Sequence, residues 1–230
     1  MNDETTGVLE ATGLYHIYRE REVETVALRG AGVRLDAGTW TSVMGPSGSG
    51  KSTLIHVLGG LLQPSGGSVS VDGENLTQMS AADRAAWRRR RIGIVLQRDN
   101  LHPLLTAADN VSLPLRLDGR QRAETHSRAQ ELLARVGLAD RGGALPRRLS
   151  GGELQRVAIA TALSARPAVL LADELTGELD EASTASVLDL LEELLGEEGM
   201  AVLAVTHNPA VAARADRRLV MRDGLVVDHE

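Results

Sequence analysis

Gly45, Pro46, Ser47, Gly48, Ser49, Gly50, Lys51, Ser52 and Thr53 run consecutively, and their types suit the capture of phosphate. Gly48 and Gly50 leave room for backbone N–H groups to turn inward, and a helix starting at Lys51 would direct roughly half a positive charge at whatever they hold. Lys51 is the only lysine among 25 basic side chains, the rest being arginine. Its compact ammonium on a flexible stem suits this place better than a planar guanidinium fork would. The pattern of Gly45, Gly50, Lys51 and Ser52 is that of a cradle for a di- or triphosphate. Lys51 would reach the terminal phosphates and Ser52 would offer its hydroxyl to Mg2+, which prefers oxygen ligands. Thr53 adds a hydroxyl near the α-phosphate.

Two further groups carry chemistry. Ala168 to Ala172 is an apolar run that ends in Asp173 and Glu174, and its place resembles that of a strand beside the phosphate loop. Successive residues at a strand end point in different directions, so the two acids can take different tasks. Asp173 would hold Mg2+ through water and Glu174 would polarise an attacking water, help that is typically worth about 10^2- to 10^4-fold in rate. Ser150, Gly151, Gly152 and Glu153 form the third group, a Ser cap followed at once by a helix. This is a second anion-binding helix end, and both ends can hardly grip the same phosphates within one chain.

These residues need elements to position them. Leu9 to Leu14, Val23 to Leu28, Val33 to Leu35 and Trp40 to Met44 are short apolar runs broken by Gly or charge, and they read as strands. Leu54, Ile55, Leu58 and Leu61 share one helical face, so residues 51–61 form a helix that starts at the phosphate loop. Val69 to Val71 with Asp72 and Gly73 reads as a strand and turn, and Ser80 caps a helix running toward Arg88 to Arg91. After a strand at Ile92 to Leu96 the chain is mostly helical up to Leu149, notably at Arg122 to Val136. Gly151 to Ser164 is helical, Val169 to Ala172 a buried strand, 181–195 a Leu-rich helix and Met200 to Val205 a strand. Arg218 to Met221 and Leu225 to Asp228 flank Asp223 and Gly224 as a closing hairpin. Alternation of this kind indicates an α/β core with a mostly parallel sheet.

Composition excludes several classes. The formal charge of −6 argues against coating nucleic acid through bulk positive charge, and the 2% aromatic content with no Phe removes stacking surfaces for single strands. Without Cys there is neither a disulfide framework nor a thiolate metal site. Residues 1–7 are expected to be a flexible N-terminus lacking the basic start and apolar stretch of a signal peptide. No apolar run approaches membrane-spanning length, which points to the cytoplasm.

The phosphate loop, Leu149 to Glu153, Leu171 to Glu174, and Thr206 with His207, in that order, resemble the ATP-binding cassette (ABC) ATPases over residues 8–230. The resemblance implies an α/β fold with a RecA-like P-loop core, an N-terminal antiparallel β subdomain and an inserted α-helical subdomain. The core would span about 8–97 and 155–230, and the helical lobe 98–154. It further implies that two copies form a head-to-tail sandwich, in which Ser150, Gly151 and Gly152 of one copy close on the γ-phosphate held by Lys51 of the other. That would explain the second helix end. By the same resemblance Gln97 contacts Mg2+ and the attacking water, and His207 contacts the γ-phosphate. Tyr18 stacks on adenine, with Tyr15 as the alternative, and Asp180 lies in the loop along the dimer seam.

Finer matches at Leu58 to Gly60, Ile92 to Gln97, Asn100 to Pro103, Leu113 to Leu115 and Ala172 to Gly177 resemble the branch of lipoprotein-releasing and macrolide-export ATPases. The implied role is an ATPase on the inner face of a bacterial plasma membrane that drives two transmembrane permease subunits. The chain departs from the family at Leu175, where Pro is usual, at Glu178, where this branch usually has Asn, and at Glu153, where Gln is commoner. Leu175 loosens the φ restriction beside Glu174, and Glu178 adds negative charge near the seam. Arg88 to Arg91 read first as a solvated helix end and second as a contact for lipid headgroups or the membrane subunit. Arg98 to Thr106 is the expected docking segment, although its Leu101, Leu104 and Leu105 have an equally simple reading as core. One rival is a soluble DNA-repair or translation ATPase, but 54–149 hold no sustained heptads and there is one cassette. The other is a low-turnover ATP-binding module signalling through a membrane partner to a cell-wall or sensor system.

Overall fold

The computed structural model describes residues 8–20, 23–98 and 100–228, so the expected flexible segment 1–7 lies outside the described residues. The chain opens with two long antiparallel strands, β1 (Leu9–Glu20) and β2 (Val23–Leu35). The runs at 23–28 and 33–35 are therefore one strand. Gly30 and Gly32, which interrupt the apolar pattern, are carried inside it, and shifts in the β1–β2 register absorb the irregularity.

Next come β3 (Trp40–Met44) and α1 (Lys51–Leu58). The helix ends three residues before the expected Leu61, because Gly59 and Gly60 follow and Gly60 turns left-handed at φ +63°. β4 (Gly66–Val71) and β5 (Glu74–Asn75) precede α2 (Ala81–Arg91), whose cap Ser80 accepts from Asp83 N at 3.2 Å as expected. After β6 (Ile92–Val95) lie the helices α3 (Ala107–Leu117), α4 (Arg122–Arg135) and α5 (Gly151–Leu163). The chain closes with β7 (Val169–Asp173), α6 (Glu181–Glu198), β8 (Ala201–Val205), α7 (Pro209–Arg214), β9 (Arg217–Arg222) and β10 (Leu225–Asp228). The short α7 is an element beyond those expected from the sequence. Asn208 caps it through Ala210 N at 2.9 Å, with Pro209 at its first position.

Two sheets result. One is antiparallel, in the order β2-β1-β4-β5; the other runs β10-β9-β3-β8-β7-β6, parallel except for the edge strand β10. This is the expected α/β arrangement. One detail differs: β7 does not border β3, because β8 lies between them. The central strands are buried on both faces, and alternate residues serve different cores. Val169, Leu171, Ala201 and Leu203 face the antiparallel sheet and α1, while Leu170, Ala172, Val202 and Ala204 face the core formed with α3 to α6.

The arginine run at the end of α2 is not simply solvated. Arg88 donates to Gly60 O at 3.0 Å, while Arg90 and Arg91 form ion pairs with Asp118 and Asp72. The run thus ties α2 to α1's end, to the turn after α3 and to the β4–β5 turn. In the segment that follows β6, Asn100 accepts from Leu96 N at 2.7 Å and donates to Leu96 O at 2.6 Å. Buried Asn110 of α3 donates to the carbonyls of His102, Leu105 and Thr106 and accepts from His102 N. The two amides fix this segment, in which Leu101 packs on the core, Leu105 is half-buried and Leu104 stays 80% exposed. Among the described residues no helix is long and apolar enough to cross a membrane.

Candidate functional site

The candidate residues collect at the carboxyl ends of the parallel strands, where open α/β sheets bind their ligands. The phosphate loop follows β3, Gln97 lies two residues beyond β6, Asp173 ends β7 with Glu174 next, and Thr206 and His207 follow β8.

Two glycines of the loop are dictated by neighbours. A Cβ on Gly45, at φ +153°, would lie 2.1 Å from Met221 O of β9, and one on Gly50, at φ +103°, would lie 2.4 Å from Ala27 O of β2. The loop is thus pressed against both sheets. Its other anchor is Ser49, whose carbonyl accepts from Gly224 N at 3.1 Å and whose buried hydroxyl has no hydrogen-bond partner. Ser49 is therefore turned inward, whereas Ser52 in the first turn of α1 is exposed. Gly50 caps α1 with no side-chain bond, so the first N–H groups of the helix, which lack intrahelical acceptors, are left to a ligand.

Lys51 folds back over its own loop, its Nζ donating to Gly45 O at 2.9 Å and Pro46 O at 2.8 Å. Burial lowers its pKa from the ordinary lysine range, and the charges of Asp173 and then Glu174 counter that shift. Asp173, which ends β7, and Glu174, which follows it, are thus the acids whose charge favours the ammonium form. Tyr18, not Tyr15, meets this helix end. Its hydroxyl is 3.3 Å from Thr53 Oγ1 and its ring stacks edge-on with His16 at 4.6 Å, while Tyr15 lies over Gly30 and Gly66.

Glu174 is the meeting point of three elements. Its backbone is left-handed, at φ +58°, a sparsely populated conformation for a residue with a side chain. The turn is held because Glu174 N donates to Val205 O at 2.9 Å and Gly177 N donates to Glu174 O at 3.3 Å. Gln97 Nε2 donates to Glu174 Oε2 at 3.3 Å, and His207 Nε2 stands 3.7 Å from Oε1. Each carboxylate oxygen thus faces one polar side chain from a neighbouring strand end.

Leu175 does not leave this turn loose. Its side chain is fully buried, and its carbonyl accepts from Gln155 Nε2 at 3.0 Å. That bond, which the sequence did not announce, ties the turn after β7 to α5. Asn208 Nδ2 reaches Thr176 Oγ1 at 3.1 Å from the other side.

The second helix end is built differently. Ser150 Oγ accepts from Glu153 N at 3.2 Å, and Glu153 Oε2 accepts from Ser150 N at 2.8 Å, a reciprocal capping box. Arg141 Nε donates to Glu153 Oε1 at 2.9 Å. This bond and then the Ser150 N–H pull the Glu153 pKa down to about 2. Nothing in the spacing around Arg141 marks it in the sequence, because its partner lies twelve residues away. Asp180 caps α6, accepting from Ser183 N at 2.7 Å, a bond that lowers its pKa. Arg156 of α5 donates to Ser183 Oγ at 2.6 Å and joins the two helix starts.

Comparison with known proteins agrees with this geometry. A family model described as ABC transporter matches residues 28–177. The lipoprotein-releasing system ATP-binding protein LolD 1 of Caulobacter vibrioides is 44% identical over 220 residues, 95% of this chain and 94% of its own length. The macrolide export ATP-binding/permease protein MacB of Rhodopseudomonas palustris is also 44% identical, over 95% of this chain and 33% of that longer protein. Among solved structures, the cassette MJ0796 in a dimeric post-hydrolysis state bound to ADP and Pi superposes with a TM-score of 0.92 at 36% identity, covering 96% of this chain and 97% of that one. The chain belongs to the ABC transporter family as an ATP-binding and ATP-hydrolysing cassette.

Proposed function

We propose that two copies of this chain close head to tail on ATP and drive a pair of transmembrane permease subunits, in export or mechanotransmission, from the inner face of a bacterial plasma membrane. The unit is one cassette over residues 8–230. Its core is 8–97 with 155–230 and its helical lobe 98–154, a boundary that falls within α5. The observation that carries the reading is the convergence on Glu174 of Gln97 and His207, with Lys51 near enough to feel its charge.

Glu174 serves as the base toward the attacking water. Gln97 and His207 fix the direction of its two oxygens, and His207 also meets the γ-phosphate. Lys51 exchanges the carbonyls of Gly45 and Pro46 for terminal phosphate oxygens, while the N–H groups of 45–53 wrap the phosphates. Tyr18, whose hydroxyl already touches the first turn of α1, stacks on the adenine. Ser150, Gly151 and Gly152 receive the γ-phosphate of the partner's ATP at the helix start that Glu153 caps, and Asp180 lines the seam.

Ser52, Asp173 and Gln97 supply oxygen donors suited to Mg2+. Ser52 is exposed beside the uncapped helix start, and the described residues offer no cluster of three acidic, His or Cys ligands, which fits an ion held mainly by substrate phosphates. When bound, it neutralises charge developing on the phosphates.

Docking to the permease is assigned to 98–106, where Leu104 projects from a framework fixed by Asn100 and Asn110. The close likeness to lipoprotein-releasing and macrolide-export proteins favours an exporter or mechanotransmitter.

The test is Glu174→Gln. Hydrolysis should fall by about 10^2- to 10^4-fold, while ATP binding persists and ATP-bound dimers accumulate in sedimentation. Unchanged turnover would remove Glu174 from the reaction.

A further inference from the structure

Glu178 occupies a place that the proposed sandwich leaves unexplained. A Cβ on Gly151 would lie 3.0 Å from Glu178 Oε2, and a Cβ on Gly152 would lie 3.2 Å from Glu178 O. The carboxylate therefore rests on the first turn of α5, the turn assigned above to the partner's γ-phosphate. It faces a cleft of ≈ 440 Å³ shared with Gln97, Arg98, Gly151 and Gln155. Glu178 is exposed and makes no hydrogen bond or ion pair among the described residues, so no direct partner holds its charge, although Arg98 lines the same cleft. Glu153, the other acid at this helix end, is held by Arg141 and Ser150 and points its charge into that pair.

We propose that Glu178 sets how tightly this cassette closes on the ATP of a second copy, acting as an electrostatic brake. In the single chain its carboxylate is favoured by the positive end of α5. In the sandwich the same end must take phosphate, and the carboxylate then stands beside like charge or swings away. One residue thus stabilises the separated cassette slightly and opposes the closed one. This inference rests on the sandwich reading, and its effect is confined to closure, because the side chains that meet the Glu174 carboxylate are Gln97 and His207.

The experiment uses the full chain carrying Glu174→Gln, which holds ATP without turning it over, and measures the ATP-dependent dimerisation constant by sedimentation. Adding Glu178→Gln should tighten the dimer about tenfold at low salt, as expected for removal of a full charge close to phosphate at a partly wetted seam. The gain should shrink to about threefold or less at about 0.5 M salt. Glu178→Asp, which keeps the charge, should stay within about twofold of the parent. Without nucleotide, Glu178→Gln should melt within about 2 °C of the parent, on its low side.

Equal dimerisation of the Glu and Gln forms at both salt concentrations would overturn the brake. Equal tightening by Glu178→Asp would overturn it too, because size and not charge would then be the cause. A melting point lower by more than about 5 °C would make Glu178 a structural residue. If Glu174→Gln forms no dimer with ATP at all, the sandwich itself fails, a result distinct from a dimer that ignores Glu178.

Discussion

The starts of α1 and α5 both present N–H groups without intrahelical partners, yet they are finished in opposite ways. At α1 the chain leaves the helix end without any side-chain cap and presses the preceding loop against Met221 O and Ala27 O, through two positions where only glycine fits. At α5 it closes the end on itself, with Ser150 and Glu153 capping each other and Arg141 holding the acid. The first end is rigid through tertiary contacts and open to a ligand. The second is stable through local bonds and already carries negative charge. A helix end that must bind phosphate within its own chain keeps its donors free. One that meets a ligand only when a second molecule arrives must satisfy part of itself meanwhile.

The sharpest way to break this contrast is one extra methyl at each end. Gly45→Ala forces its Cβ onto a β9 carbonyl at 2.1 Å, and it should cost about 2–3 kcal/mol of stability in denaturant unfolding and abolish ATP binding. Gly152→Ala meets its nearest backbone atom only at 3.2 Å, and should cost about 1 kcal/mol or less while ATP binding to the single chain survives. Similar losses in both variants would mean that the two ends are constrained alike.

Lys51→Arg sharpens the first half. The ammonium makes two bonds to loop carbonyls inside a nearly buried pocket. A guanidinium keeps the charge but cannot take that compact position. Hydrolysis should fall at least about tenfold, an amount worth about 1.4 kcal/mol in the barrier. Near-normal turnover would show that charge alone suffices.

What the sequence revealed follows the same division. The phosphate loop, the acids after β7 and the Ser cap of α5 were legible because each is local: glycine spacing, an apolar run ending in carboxylates, a cap followed by helical periodicity. Long-range partners were not. Nothing near Gln155 announces Leu175 O, and nothing near Arg141 announces Glu153, because those bonds depend on how elements distant in sequence come together. Gln97, His207 and Tyr18 were found only through family resemblance, since a lone Gln, His or Tyr carries no signal by itself. Features that the fold adds to the sequence have equally physical causes. Gly30 and Gly32 look like strand breakers but are absorbed by register shifts in the β1–β2 ladder. The four arginines look like a solvated end, but two acids and a carbonyl await them in the fold.

Ser150→Ala tests the second half. It removes the acceptor for Glu153 N, and loss of such a cap costs about 1 kcal/mol, measurable by thermal or denaturant unfolding. Because α1 has no side-chain cap to lose, the same loss cannot be produced by side-chain deletion at Gly50.

The smallest expected effect is a pH dependence confined to the second end. The Glu153 pKa is depressed from 4.5 to about 2, first by the Arg141 hydrogen bond and then by the Ser150 N–H. A carboxylate held below its unfolded value contributes stability that is fully present above the unfolded pKa and fades as pH falls through the folded one. The contribution of this group is therefore intact at neutral pH, declines below 4.5 and is gone below about 2. Glu153→Gln keeps an acceptor for Ser150 N, as capping boxes allow, but has no charge to lose. Melting temperatures of parent and variant should differ slightly at pH 6 and converge toward pH 2, with the parent falling faster. Parallel curves across that window would show that Arg141 and Glu153 do not act as a charge pair, and that the second end is held by its neutral cap alone.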